Sequence, residues 1–228
     1  MVKTSEKRYN DLLDIVVFFS RFFMIKEFLP YDTVRNDALK IAHKIHKDGF
    51  IPDVIYSSLR GGAYMANVIS EYFKIVAKKE KFHPVLYAGV VARSYSDVAQ
   101  HTKVFIDGWT YPPENLRPGD KILLVDDIFD SGRTINELVE TLINSRGMPR
   151  EDIKVVVHDY KYFTYQKEQL AIQPDYYCRK FVINNPDENR WIHYMSHELV
   201  GLSQEELEKN YYSQDPELRD ILGPFLGE

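Results

Sequence analysis

Lys121-Ile122-Leu123-Leu124-Val125-Asp126-Asp127-Ile128-Phe129-Asp130-Ser131-Gly132-Arg133-Thr134 packs an apolar strand, three carboxylates and a phosphate-sized turn into one short stretch. Residues 122–125 form the uninterrupted apolar run that a parallel strand buried on both faces requires. A helix pattern follows, with Ile135, Leu138, Val139 and Leu142 at helical spacing. Between the two, Ser131-Gly132-Arg133-Thr134 sits where a sheet hands over to a helix N-terminus. Gly132 is free to take a positive φ, and the small side chains let several N–H groups point one way. Such a turn binds an anion.

The acids say what else is bound. Asp126 and Asp127 end the strand and, on a period of two, face opposite ways, so at least one points into the crevice where open α/β sheets hold ligands. Carboxylates beside a phosphate cradle repel phosphate. Their partners are therefore ribose hydroxyls or a divalent cation that neutralises the ligand. The turn is not a Walker A loop, because it lacks a Gly-Lys-Ser/Thr ending and the acids precede it.

Residues 52–62, Pro-Asp-Val-Ile-Tyr-Ser-Ser-Leu-Arg-Gly-Gly, repeat the plan of strand and turn, with a helix expected over 63–73. Gly61 and Gly62 remove side chains so that amides can approach an anion, and Arg60 adds a charge able to grip phosphate oxygens in a bidentate manner. Two phosphate cradles on neighbouring strands imply a ligand with phosphates at both ends.

At residues 122–134 the chain resembles the type I phosphoribosyltransferases, whose signature for phosphoribosyl pyrophosphate (PRPP) is four apolar residues, two acids, two apolar residues, Asp, Ser/Thr, Gly, a variable residue and Thr. The stretch fits at every position. The resemblance implies an α/β fold with a mostly parallel central sheet flanked by helices, plus a small hood. It assigns Asp126, Asp127, Asp130, Ser131, Gly132, Arg133 and Thr134 to the ribose and 5-phosphate of PRPP, with Asp127 the contact to Mg²⁺ and Asp130 the catalytic base. Leu59, Arg60 and Gly61 match the pyrophosphate loop, for which a cis peptide before Arg60 is expected. Residues 174–177, Pro-Asp-Tyr-Tyr, followed by Trp191-Ile192, resemble the hood of xanthine and guanine phosphoribosyltransferases. By that likeness Lys161 donates to the O6 of a 6-oxopurine, Trp191 stacks on its ring and Ile192 covers it. An aromatic face with an apolar cover suits a flat base, and a cation at a carbonyl selects oxo over amino purines. The hood departs from the family at residues 193–198, His-Tyr-Met-Ser-His-Glu, which lack the usual Pro-Trp. The His193 and His197 spacing comes without a third and fourth ligand and reads as ordinary histidines.

The remaining chain supplies the frame. The 228 residues, 44% hydrophobic, suffice for one sizeable α/β domain with an appendage. One cysteine excludes a disulfide framework and fits a reducing cytosol. A net charge of −5 argues against nonspecific nucleic-acid binding. The apolar run at residues 15–19 is far shorter than the roughly 20 residues a membrane span needs. Residues 9–29 have helical periodicity and form an aromatic-rich N-terminal helical extension (1–30). Residues 31–160 are the expected core, with a helix over 34–47 and strands over 85–91 and 153–158. Residues 161–228 are the expected hood and C-terminal segment, with a strand near 178–183 and a capping box at Ser203-Gln204-Glu205-Glu206. Residues 96–118 run polar and turn-rich, too long for a simple connection, and their first part reads as a lid over the reaction centre. Arg93, Tyr95 and Lys103 are its candidate pyrophosphate contacts.

The expectation is a cytoplasmic, Mg²⁺-dependent enzyme of purine salvage that joins hypoxanthine, guanine or xanthine to the 5-phosphoribosyl group of PRPP and releases pyrophosphate. A homodimer or higher homo-oligomer is expected, with no nucleic-acid or membrane partner. The alternatives are a phosphoribosyltransferase for another base and a non-catalytic PRPP-sensing regulator of the same fold.

Overall fold

A computed structural model describes residues 26–96, 102–166, 170–194, 199 and 201–226. The sheet is built from the sequence's apolar runs. Strands β2 (Val54–Leu59), β3 (Leu86–Ser96), β4 (Thr102–Trp109), β5 (Ile122–Phe129), β6 (Ile153–Phe163) and β7 (Tyr176–Ile183) make one six-stranded sheet in the order β4-β3-β2-β5-β6-β7. All pairings are parallel except β3 with β4. The signature strand β5 is central, and Ile122, Leu123, Leu124 and Val125 are all fully buried, as a strand covered on both faces demands.

Alternation divides the faces. Val54, Tyr56, Ile122, Leu124, Val155 and Val157 pack with Ile135, Leu138, Val139 and Leu142 of helix α3 (Arg133–Arg146). The intervening Ile55, Leu123 and Val156 are buried on the opposite face. Helix α2 (Ala63–Glu80) packs against β2 and β5. Helix α1 (Tyr31–Lys47) buries Val34, Ala38, Ile41, Ala42 and Ile45, the stripe expected of it, and Gly49 follows at φ +81. The expected helix and strand positions in 34–73, 85–91, 122–146, 153–158 and 178–183 are present, and several elements run longer than expected.

Two expectations are corrected. Residues 26–29, read as the end of a helix, form strand β1 (Lys26–Leu29), paired in parallel with β8 (Trp191–Tyr194). Residues 102–109, read as part of a turn-rich loop, form β4, so Asp107-Gly108 lies inside a ladder and not at a turn. Val104, Phe105 and Ile106 give that segment a strand's composition, which the flanking turn signals masked. The remainder of the expected N-terminal helix, and residues 97–101 of the expected lid, lie outside the described residues.

The chain divides into two compact units, the larger Asp32–Glu188, the smaller built from the described residues on either side of it. Residues 161–188 lie in the larger unit, where β6 runs unbroken to Phe163 and β7 pairs along it. The smaller unit holds β1, β8, α4 (Gln204–Leu207), a π-helical turn over Glu208–Tyr212 and α5 (Glu217–Leu226). The capping box is present: Ser203 Oγ accepts the Glu206 amide at 3.2 Å and Glu206 Oε2 accepts the Ser203 amide at 2.8 Å. Glu206 also pairs with Lys26 at 2.8 Å, and Leu202, Leu207 and Tyr212 make this unit's core. Among the described residues, no helix is long and apolar enough to cross a membrane.

Candidate active site

The carboxyl ends of β2 and β5 are adjacent in the sheet, so the two expected cradles are brought side by side. After β2, the peptide between Leu59 and Arg60 is cis. The Gly62 amide donates to Ser58 O at 2.9 Å and the Ala63 amide to Arg60 O at 3.1 Å, closing a tight turn into α2. The helix starts without a side-chain cap or an acid in its first turn, which leaves its end electropositive. Arg60 is exposed.

The glycines here are required by proximity. A Cβ on Gly61 would collide with the Asp127 carboxylate, and one on Gly62 with the backbone of Val125. The glycine turn after β2 is therefore laid directly against the acid pair of β5. Asp126 turns inward, 9% exposed, and hydrogen-bonds to Ser58. Its Oδ1 accepts the Asp127 amide at 3.0 Å, while Asp127 Oδ1 accepts the Ile128 amide at 2.8 Å. Burial, and then the neighbouring Asp127 charge, hold the Asp126 carboxyl well above the ordinary value of 3.8. Asp127, half-buried against the glycine loop, is the acid placed to meet a cation. Its hard oxygens are of the kind that would hold a divalent cation such as Mg²⁺.

After β5, Gly132 has φ +74 and a Cβ there would enter the Phe129 ring, so the turn admits glycine on both counts. It opens α3 with no side-chain cap and no acid in the first turn. Ser131 and Arg133 are exposed and Thr134 is half-buried. The result is a second uncapped helix N-terminus, of the kind that suits an anion.

Lys161 comes to the same end of the sheet from β6. Its ammonium group is almost wholly buried, its side chain 3% exposed, and Nζ lies 3.5 Å from Asp130 Oδ2, which is half exposed. A buried cation needs such a partner. The structure thus brings together the residue expected to read the base and the residue expected to take its proton, 31 positions apart in sequence.

Trp191 and Ile192 belong to β8 of the smaller unit, where Ile192 is buried and Trp191 half-buried. His193 is also buried there, its ring 4.7 Å from that of Phe28. His197 lies outside the described residues, and no cluster of metal-binding side chains occurs among the described residues. Of the lid candidates, Arg93 is engaged by Asp107 across the β3–β4 ladder, its Nη2 2.6 Å from Oδ1. Tyr95 and Lys103 are register partners in that ladder.

The sequence reading missed three features. Ser58 supports Asp126 from β2. Asn136, buried in α3, bonds to Gly132 O and to both backbone groups of Ile172. His158 and Asp159 are fully buried in β6, where Asp159 takes a bidentate pair from Arg179 at 2.5 and 2.9 Å and His158 reaches Asp37 at 3.4 Å. The signal for all three was a polar residue inside an apolar pattern. Cys178 lies beside this group, and burial pushes its thiol up to about 12, which favours the neutral thiol.

No curated protein sequence matches the chain at a significant level. Among solved structures, the fold is similar to a purine phosphoribosyltransferase from Pyrococcus horikoshii OT3 (TM-score 0.57, 20% identity, 79% of this chain and 100% of that one). It is similar also to a hypothetical protein from Neisseria gonorrhoeae with bound ppGpp (0.58, 18%, 78% and 92%). A third is the Helicobacter pylori xanthine-guanine-hypoxanthine phosphoribosyltransferase (0.51, 18%, 83% and 99%). The family model for the phosphoribosyl transferase domain matches residues 30–196, which takes in both cradles, the acid pair and Lys161. With its mostly parallel sheet and its signature loop in place, the chain belongs to the phosphoribosyl transferase domain family, the enzymes of pentosyl transfer.

Proposed function

We propose that the protein transfers the 5-phosphoribosyl group of PRPP to a 6-oxopurine, hypoxanthine, guanine or xanthine, with release of pyrophosphate. The observation that carries this reading is the Lys161–Asp130 pair at 3.5 Å, a buried donor next to a carboxylate at the end of the PRPP signature. A buried ammonium in this place supplies a hydrogen bond to a ring carbonyl, and a neighbouring carboxylate supplies a base for ring nitrogen.

In the proposed mechanism the 5-phosphate rests on the amides of residues 131–134, and Leu59, Arg60 and Gly61 hold the pyrophosphate. Asp126 and Asp127 line the ribose, with Asp127 the residue to hold Mg²⁺, which would neutralise charge on the leaving pyrophosphate. The C1′–oxygen bond to pyrophosphate loosens first, building an oxocarbenium-like centre. The purine nitrogen captures it while Asp130 receives the proton from N7. Trp191 and Ile192 are proposed as base contacts from the family resemblance. A cytosolic setting in purine salvage and a homodimer or larger assembly complete the proposal, supported by the reduced single cysteine and the family's habit.

Lys161→Gln tests it. The variant is expected to raise KM for the 6-oxopurine about 10- to 100-fold, the range for losing a charged hydrogen bond, with the dissociation constant of PRPP unchanged. An unaltered KM for the base would remove Lys161 from base recognition.

A further inference from the structure

Resting on the reading of residues 131–134 as the 5-phosphate cradle, we propose that Asn136 is the positioning residue that aims this cradle. Asn136 lies in the first turn of α3, 7% exposed, among the core residues Ile135, Leu138 and Val139. A buried carboxamide must have its donors and acceptor matched. Nδ2 donates to Gly132 O at 3.0 Å and to Ile172 O at 2.9 Å, and Oδ1 accepts the Ile172 amide at 3.0 Å. The backbone amide of Asn136 donates to the same Gly132 carbonyl at 2.9 Å. One residue therefore fixes Gly132 O twice.

That fixation has a direct effect on the anion site. The peptide joining Gly132 to Arg133 is planar, with its C=O and N–H antiparallel. Holding the carbonyl along α3 turns the Arg133 amide outward through the helix N-terminus, where the phosphate is held. Gly132, at φ +74, could adopt many other conformations at no steric cost to itself. The Asn136 side chain selects one of them. Its other end grips Ile172, which is 8% exposed and packed in the same core, in the segment that joins β6 to β7. The cradle is thus braced against a fixed wall of the domain and not only against its own helix.

The full chain is tested as Asn136→Leu, which keeps the branching at Cγ and loses all three side-chain bonds, and as Asn136→Asp, which keeps the shape but sets a carboxylate oxygen against two carbonyls. PRPP and ribose 5-phosphate are titrated by calorimetry, with steady-state kinetics alongside. Both variants, at a temperature where they remain folded, are expected to weaken both ligands and raise KM for PRPP by about tenfold or more, the scale of one lost hydrogen bond. KM for the base and binding of inorganic pyrophosphate stay unchanged. Ser70→Ala, which removes the buried bond from Ser70 Oγ to Asn67 O at 2.7 Å in α2, controls for lost stability and leaves PRPP affinity intact. If neither variant folds, Asn136→Ser takes their place with the same expected direction. A folded variant that binds PRPP as the wild type does overturns the inference. Wild-type protein that binds neither PRPP nor ribose 5-phosphate overturns instead the reading of the cradle on which it rests.

Discussion

Replacing Asp130 by Asn keeps the side chain's shape and removes its basicity. If Asp130 takes the N7 proton, turnover falls about 10²- to 10⁴-fold, the usual contribution of a general base, while PRPP binds as before by calorimetry. Turnover near the wild-type value would strip Asp130 of this role. The same substitution leaves the Lys161 ammonium group without its carboxylate, so weaker base binding is expected to accompany the loss. Asp126 gives a different test. Its folded-state pKa lies above the unfolded value, so the folded protein binds the extra proton as pH rises past the unfolded pKa. Stability of the ligand-free protein contributed by this group is therefore fully present below pH 3.8 and declines as pH climbs toward the raised pKa. Urea unfolding across pH should show that decline in the wild type and lack it in Asp126→Asn; identical profiles would contradict the assignment. These acids were legible in sequence because their order along the strand is itself the chemistry. Ser58 and Asn136 were not, since their roles depend on what the fold places opposite them.

β6 and β7 are joined by more than their ladder. Asp159 is fully buried and takes a bidentate pair from the Arg179 guanidinium, itself 27% exposed, with His158 Nδ1 3.1 Å from its Oδ2. Arg179→Ala would remove this bidentate partner from a buried carboxylate, at a cost of about 3–5 kcal/mol. A denaturant titration should show a lower midpoint with an unchanged slope. A midpoint within about 0.5 kcal/mol of the wild type would place the pair among surface-like contacts that contribute little. The elements were read from sequence where one signal dominated: the apolar run of β5, the helical stripe of α1, the capping box at Ser203. They were misread where signals conflicted. In β4 the Asp107-Gly108 pair speaks for a turn, yet the β3 edge offers a partner from Val90 to Ser96 and pairing overrides the local preference. In β1 the helical periodicity of the preceding residues runs on into a segment that pairs with β8, a partner more than 160 residues away that no local window contains.

The sheet order β4-β3-β2-β5-β6-β7 explains why the site could be inferred at all. The two strands that end in glycine turns are neighbours, and a third brings Lys161 to the same end, so residues from 59 to 161 meet at one end of the sheet. The proposed donor half of the reaction is written in contiguous motifs, whereas the residues proposed for the acceptor, Lys161, Trp191 and Ile192, are dispersed along the sequence. The direct measurement is pyrophosphate release from PRPP and Mg²⁺ with a panel of hypoxanthine, guanine, xanthine, adenine and pyrimidine bases. Release is expected with at least one of the three 6-oxopurines and not with adenine, pyrimidines or PRPP alone. PRPP binding without release for any base, or release only with a base that lacks the 6-oxo group, would contradict it.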